Sequence, residues 1–176
     1  GAASHEITAP PTATTYSATF VPQSTLTFTP VADAYVRATR ATTNYGTANR
    51  LTVNNPNYRS YLRFTVGGVT GTVTSVKLRL RVTDASTNSG SVNTVGAGWT
   101  ETGITWNNAP VISGTPVATI GATTVNTWKE LDLTGVVTGN GSYDLAISGG
   151  NSNTTDFASR EATSANRPQL VVTFAP

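Results

Sequence analysis

From about residue 29 the chain alternates apolar and polar side chains with a period of two. In 59–66, Ser60, Leu62, Phe64 and Val66 alternate with Arg59, Tyr61, Arg63 and Thr65. In 76–83, Val76, Leu78, Leu80 and Val82 alternate with Lys77, Arg79, Arg81 and Thr83. Segments 33–37, 50–54, 142–148 and 169–174 behave alike, so each is a strand with one face on a core. Turn signals recur between them at Gly67-Gly68, Asn88-Ser89-Gly90, Asn107-Asn108, Gly139-Asn140-Gly141 and Gly149-Gly150-Asn151. No window carries a helical stripe; only 131–138 has room for a short helical turn. Many short strands with regular turns predict an all-β fold, an antiparallel β-sandwich of the jelly-roll type. Residues 1–28 differ. Pro10, Pro11 and Pro22 sit among Thr, Ala and Ser without periodicity, which reads as a linker or a leader foreign to the fold. The expected organisation is one domain over 29–176, joined to other domains of the same polypeptide.

Composition narrows the setting. Thr is by far the commonest residue, Ser, Asn and Gly are abundant, and only 11% of residues are charged. Such a surface points to a secreted or cell-surface protein and a monomer. There is no Cys, which removes disulfides and thiolate metal sites. No stretch approaches the roughly 18 apolar residues of a membrane helix, so no membrane insertion is expected. Net charge is only +2, but it is unevenly distributed. Between Asp33 and Asp84 lie eight bases and no acid: Arg37, Arg40, Arg50, Arg59, Arg63, Lys77, Arg79 and Arg81. A positive region of that kind attracts an anionic partner.

Catalytic options shrink quickly. The only His is His5, in the linker, so neither a Ser-His-Asp triad nor a zinc hydrolase can be built in the domain. Glu130 and Asp132 share one face of a probable strand, near the spacing a glycosidase pair needs, but two acids on a strand are an ordinary solvated face. Glu101 reads as a loop brace. Tyr61 beside Arg63 is a conceivable pair for a polyuronate lyase. The binding reading is stronger. If strands 59–64 and 76–82 are neighbours, Arg59, Tyr61, Arg63, Lys77, Arg79 and Arg81 merge into one basic strip on a lattice of about 4.8 by 6.7 Å. Guanidinium forks pair with carboxylates, and a tyrosine ring stacks on a sugar. Without a cluster of stacking aromatics the strip is a poor reader of bases, so no nucleic acid is expected. Trp99, Trp106 and Trp128 read as core or loop anchors.

Several motifs in one order carry a resemblance: Asp33-Ala34-Tyr35-Val36-Arg37, Asn44-Tyr45-Gly46, Tyr61-Leu62-Arg63-Phe64, Trp99-Thr100-Glu101 with Thr105-Trp106-Asn107-Asn108-Ala109-Pro110, and Ser159-Arg160-Glu161 with Arg167-Pro168-Gln169-Leu170. Together they resemble the DNRLRE-type domains, which include carbohydrate-binding module family 96. The resemblance implies a jelly-roll sandwich appended to polysaccharide-degrading enzymes or surface proteins, binding alginate-like polyuronates. By position it assigns Arg37, Tyr61, Arg63 and Arg160 to the ligand face, although Arg160-Glu161 near Asp33 reads equally as an internal ion-pair network. The chain departs from relatives at Val53-Asn54, where a Lys is usual, and at Phe64-Thr65, where an Asp is usual. Related sandwiches often hold a structural calcium through oxygen ligands, but no spacing here places one. Three functions therefore stand open: a non-catalytic module for an acidic polysaccharide, a structural or adhesive spacer, and a polyuronate lyase.

Overall fold

The computed structural model describes residues 20–176. Eleven strands make up the fold: β1 (Ser24–Phe28), β2 (Ala32–Arg37), β3 (Arg50–Val53), β4 (Tyr58–Val66), β5 (Thr72–Asp84), β6 (Ser91–Thr94), β7 (Ala118–Thr119), β8 (Trp128–Asp132), β9 (Gly141–Ser148), β10 (Thr155–Ala158) and β11 (Gln169–Ala175). Among the described residues no helix is long and apolar enough to cross a membrane. One sheet contains β1, β11, β5, β10 and β3, with β8 also on β5; the other runs β2-β4-β9-β6-β7. The antiparallel pairs nest: β1 with β11, β3 with β10, β4 with β9, β5 with β8, and β6 with β7. Nested pairing is what a long folded-back ribbon gives when it wraps into two layers, which is the jelly-roll expectation.

Every segment with clear alternation is a strand. In β4, β5 and β11 the apolar set lies between the sheets: Leu62, Phe64 and Val66 of β4, Val76, Leu78, Leu80 and Val82 of β5, and Leu170, Val172 and Phe174 of β11 are buried in one cluster. Each such side chain contributes about 1.5–3 kcal/mol by leaving water. Two expectations change. Ser24–Phe28, assigned to the linker, is a strand paired along β11 from Ser24↔Phe174 to Phe28↔Leu170, and it packs Leu26 and Phe28 against the core. The folded domain therefore includes Ser24, not only residues from 29; the leader at 1–19 lies outside the described residues. The stretch 131–138 is the end of β8 followed by one tight turn, in which Val136 N–H donates to the Leu133 carbonyl.

The outer face of the second sheet is also covered. The connection from β6 to β7, residues 95–117, folds across it. A second buried cluster gathers Ala32, Ala34 and Val36 of β2, Tyr61 of β4 and Ala146 of β9 beneath Trp99 and Ile104. Long connections without strands are uncommon, and this one is held by specific bonds. Trp99 Nε1 donates to Asp144 Oδ1 at 2.6 Å, and Tyr61 Oη donates to the Pro110 carbonyl at 3.1 Å. Asn44 Nδ2 donates to the carbonyls of Glu101 and Ile104 at 2.8 and 2.7 Å. A Cβ at Gly46 would run into the Glu101 carbonyl, so glycine alone allows the loop so close. Tyr61 is thus 0% exposed, a core residue of a second layer.

Tyr61→Ala is expected to lower unfolding stability by about 3–5 kcal/mol, as for other large aromatic truncations, and Tyr61→Phe by about 1 kcal/mol for the lost hydrogen bond. Urea denaturation measures both; a wild-type midpoint for Tyr61→Ala would mean that the loop does not pack on the sheet.

Candidate functional site

The expected basic strip does not exist as one surface. β4 and β5 belong to different sheets, so Arg59, Tyr61 and Arg63 lie on the opposite side of the sandwich from Lys77, Arg79 and Arg81. The link 67–71 carries the chain from one layer to the other instead of closing a hairpin. A Cβ at Gly71 would collide with the Ala175 carbonyl, which fixes that crossing against β11. Nor are most of its cations unbalanced, because acids remote in sequence sit beside Arg63, Lys77 and Arg79. Asp144 stands opposite Arg63 in register and pairs with it at 2.8 Å, while Arg63 Nη2 also donates to the Ala97 carbonyl at 2.6 Å. Glu130 stands opposite Arg79 and takes it at 2.9 Å and Lys77 at 3.5 Å. Arg79 also donates to Gln169 Oε1 at 2.6 Å and stacks 4.8 Å from the Trp128 ring. Tyr61 is corrected outright. A fully buried ring offers no face to a sugar, and its buried phenol, pushed up by burial with Arg59 opposing the shift, is out of reach of any substrate proton.

Arg160 belongs to a knot around Asp33. Asp33 is 1% exposed. Its N–H donates to Glu101 Oε1 and its Oδ2 accepts from the Arg160 N–H, both at 2.8 Å. The Arg160 guanidinium reaches back to Glu101 at 2.7 Å and to Glu161 at 3.7 Å. Of the two readings of Arg160, the internal network is the one the geometry supports, and Glu101 is the loop brace. Burial, together with the neighbouring Glu161 and Glu101 carboxylates, pushes Asp33 up to about 8, with the Arg160 N–H acting against the shift. Asp33, Glu101 and Glu161 place carboxylate oxygens within 4.8 Å of one another, the donor type calcium takes. Here Arg160 and the proton on Asp33 offset part of that charge. The Glu130 and Asp132 pair suits acid catalysis poorly: Glu130 is engaged by two cations, and hydrogen bonds from Thr134 hold Asp132 below the usual carboxylate range.

What remains is a seam along β2, an edge strand whose alternate residues Asp33, Tyr35 and Arg37 follow one another at about 6.7 Å. Tyr35 stacks on Tyr45 with ring centroids 4.3 Å apart and planes at 16°, and meets Tyr58 at 6.0 Å. Arg37 lies over Tyr58 at 5.4 Å. Its Nε is buried without a hydrogen-bond partner, the one such side-chain atom among the described residues. Arg50 comes up beside the Tyr35 hydroxyl, opposing the rise that burial gives this phenol, and is only loosely paired with Asp156 at 3.7 Å. Arg40 is exposed at the end of the short 3-10 turn Ala38–Arg40. Among the expected site residues, Arg37, Arg59 and Arg81 have no acid partner among the described residues, whereas Arg63, Lys77, Arg79 and Arg160 have one. Sequence reasoning missed the three tyrosines and Arg50. Period two did place Tyr35 on the same side as Arg37, and that was the available signal.

The knot has a pH signature. Folded Asp33 holds its proton to about 8 against 3.8 for a solvent-exposed carboxyl, so between those values the folded state binds the extra proton. Stability therefore falls as pH rises through this window. Thermal melts at pH 5, 6.5 and 8 are expected to show a smaller decline for Asp33→Asn than for wild type; equal declines would remove Asp33 as the cause.

A family model described as carbohydrate-binding module family 96 matches residues 24–174, from the first residue of β1 into the end of β11. No curated protein matches the chain. The match spans both sheets, the covering loop and the Asp33 knot, and the chain belongs to carbohydrate-binding module family 96.

Proposed function

We propose that this carbohydrate-binding module takes an acidic polysaccharide, a polyuronate or a sulfated glycan, at the tyrosine and arginine seam, without cleaving it. The observation that carries the reading is Arg37. Its guanidinium is fixed against Tyr58, has no carboxylate partner among the described residues, and keeps a buried Nε unmet by them, a state that costs about 1–3 kcal/mol until an acceptor compensates it. Tyr45 and Tyr58 beside it are half-buried rings of the kind that pack on sugars, with the buried Tyr35 backing Tyr45, and Arg40 and Arg50 add positive charge nearby. An oxyanion of the glycan pairs with Arg37, with Arg50 and Arg40 following along the chain, and Tyr45 supports a ring. Non-catalytic binding agrees with the state of the candidate catalytic groups: Tyr61 is buried, and Glu130 is tied to Lys77 and Arg79. The Thr- and Asn-rich, cysteine-free chain suits a secreted or surface protein in which the module serves neighbouring domains.

Affinity electrophoresis against alginate, pectate and a sulfated galactan, with neutral galactan as control, tests the proposal. Retention by an acidic glycan is expected, decreasing as added salt shortens the screening length below about 10 Å. Arg37→Gln and Tyr45→Ala are each expected to weaken it at least tenfold, on the order of 1.4 kcal/mol, while Arg79→Gln leaves it unchanged. No retention by any acidic glycan would leave the spacer reading, which the many internally paired arginines favour.

A further inference from the structure

A second place on the molecule has the makings of an anion site. Arg59 opens β4 beside Tyr58, but successive strand residues face opposite ways, so it stands on the loop-covered face and not in the seam. Two residues on, Tyr61 is under the loop; four on, Arg63 is engaged by Asp144 and the Ala97 carbonyl. Arg59 has no such acid partner. Its guanidinium lies 4.3 Å from the centre of the Trp106 ring, the closest of the arginine–aromatic contacts among the described residues, and it borders the Tyr61 hydroxyl, whose proton affinity it lowers. Tyr61 is in turn held by the Pro110 carbonyl. Aromatic groups thus fix the position of a cation that no carboxylate among the described residues neutralises, at the half-buried margin of the covering loop.

Arg59 forms one wall of a cleft of about 260 Å³. The other walls are the β3–β4 turn with Asn54 and Asn55, Ile112 from the covering loop, and Ser148 at the end of β9. Both the turn and the loop are fastened: Asn54 Oδ1 accepts from the Asn57 N–H at 3.1 Å and the Asn55 N–H donates to the Asn151 carbonyl at 3.0 Å in the turn, while the Pro110 carbonyl of the loop accepts from Tyr61 Oη. The volume falls below the roughly 300–1,000 Å³ of sites for drug-sized ligands, so one sugar ring is the right scale. A planar fork for an oxyanion, an apolar patch for ring C–H groups and amide and hydroxyl groups for sugar hydroxyls make up the chemistry. We propose that the cleft between the β3–β4 turn and the Trp106 loop is a separate subsite for a single oxyanion-bearing sugar residue, gripped by Arg59 and packed on Ile112. The inference shares the acidic-glycan class with the seam reading but none of its residues.

The test is titration of the ¹⁵N-labelled full chain, followed at the indole N–H signals. Trp99, whose indole is bonded to Asp144, serves as the internal reference. Galacturonic acid and galactose 6-sulfate separate a carboxylate from a sulfate ligand; galactose is the neutral control. At least one acidic sugar is expected to move the Trp106 signal saturably, at least tenfold more tightly than galactose, with Trp99 unmoved. Arg59→Gln is expected to abolish the response and Arg59→Lys to weaken it, since a point charge lacks the fork. Arg37→Gln is expected to leave it intact. A Trp106 signal that neither acidic sugar moves, a response that survives Arg59→Gln in a chain with an unchanged Trp99 signal, or one lost in Arg37→Gln would each overturn the subsite. Retention on polysaccharide that needs Arg37 but leaves Trp106 silent would sink the subsite alone. Saturable Trp106 shifts without polysaccharide retention would sink the seam alone.

Discussion

Asp33 is a carboxyl group on the edge strand of one sheet, turned toward the interior and almost sealed from solvent. An ionised carboxylate in such a place is destabilising by several kcal/mol unless it is neutralised or fully bonded. The fold meets that constraint from three separate parts of the chain. β2 supplies the carboxyl, the covering loop supplies Glu101 on the Asp33 N–H, and the excursion between β10 and β11 supplies the Arg160 N–H and guanidinium. Because β10 and β11 pair with β5 in one sheet while β2 lies in the other, these bonds fasten the two layers at their open edge. Asn44, Gly46 and Ser159 complete the fastening through the Glu101 and Ala48 carbonyls. Sequence motifs that look like a ligand signature are therefore first the parts of one joint.

The covering loop decides which cations are available to a ligand. Its passage over β4 buries Tyr61, brings the Ala97 carbonyl to Arg63, and sets Trp99 on Asp144. Arg63 becomes a strut between strand and loop, with its guanidinium 4.9 Å from the Trp99 ring. On the other sheet, β8 brings Glu130 to Lys77 and Arg79. These are exposed or half-exposed pairs worth little in stability, about 0–1 kcal/mol each, yet they lower the positive potential over that face. The seam at β2 and the cleft at Arg59 are left as the places where aromatic rings hold arginines that no carboxylate has claimed.

Much of this architecture was legible in the residue pattern. Alternation in 59–66 and 76–83 gives strands and their core faces correctly, because burial of one face is a local property with a period of two. It does not say which strand lies next to which. Leu62 and Leu78 face the same core from opposite layers, and nothing in 67–71 announces a crossing in place of a hairpin. Short strands such as Ala118–Thr119 and Thr155–Ala158 carry too few residues to show a period, and β1 was hidden among Thr, Pro and Ser. Charge read along the chain misled for a similar reason. Glu130 is remote from Arg79, and Asp144 from Arg63, until register brings them opposite. Tyr61 looked outward because period two has no term for a loop that returns to cover a sheet.

That division bears on how a module of this kind changes its ligand. Arg63 and Arg160 cannot be altered freely, since removing either leaves Asp144 or the Asp33 cluster with buried negative charge, the costly half of a broken pair. Arg37, Arg40, Arg50 and Arg59 lie outside those obligations. Asn54 bonds the Ser152 carbonyl and caps the Asn57 N–H in the β3–β4 turn, beside the Arg59 cleft and away from the knot. Under the proposed binding mode, specificity is written in residues the fold can release, on a frame whose own arginines are fixed. A ligand bound as proposed meets guanidinium groups already placed against Tyr58 and Trp106, so less side-chain entropy is lost on binding than for free surface arginines. Preorganisation of this kind favours recognition of an oxyanion at a defined position over diffuse attraction to any polyanion.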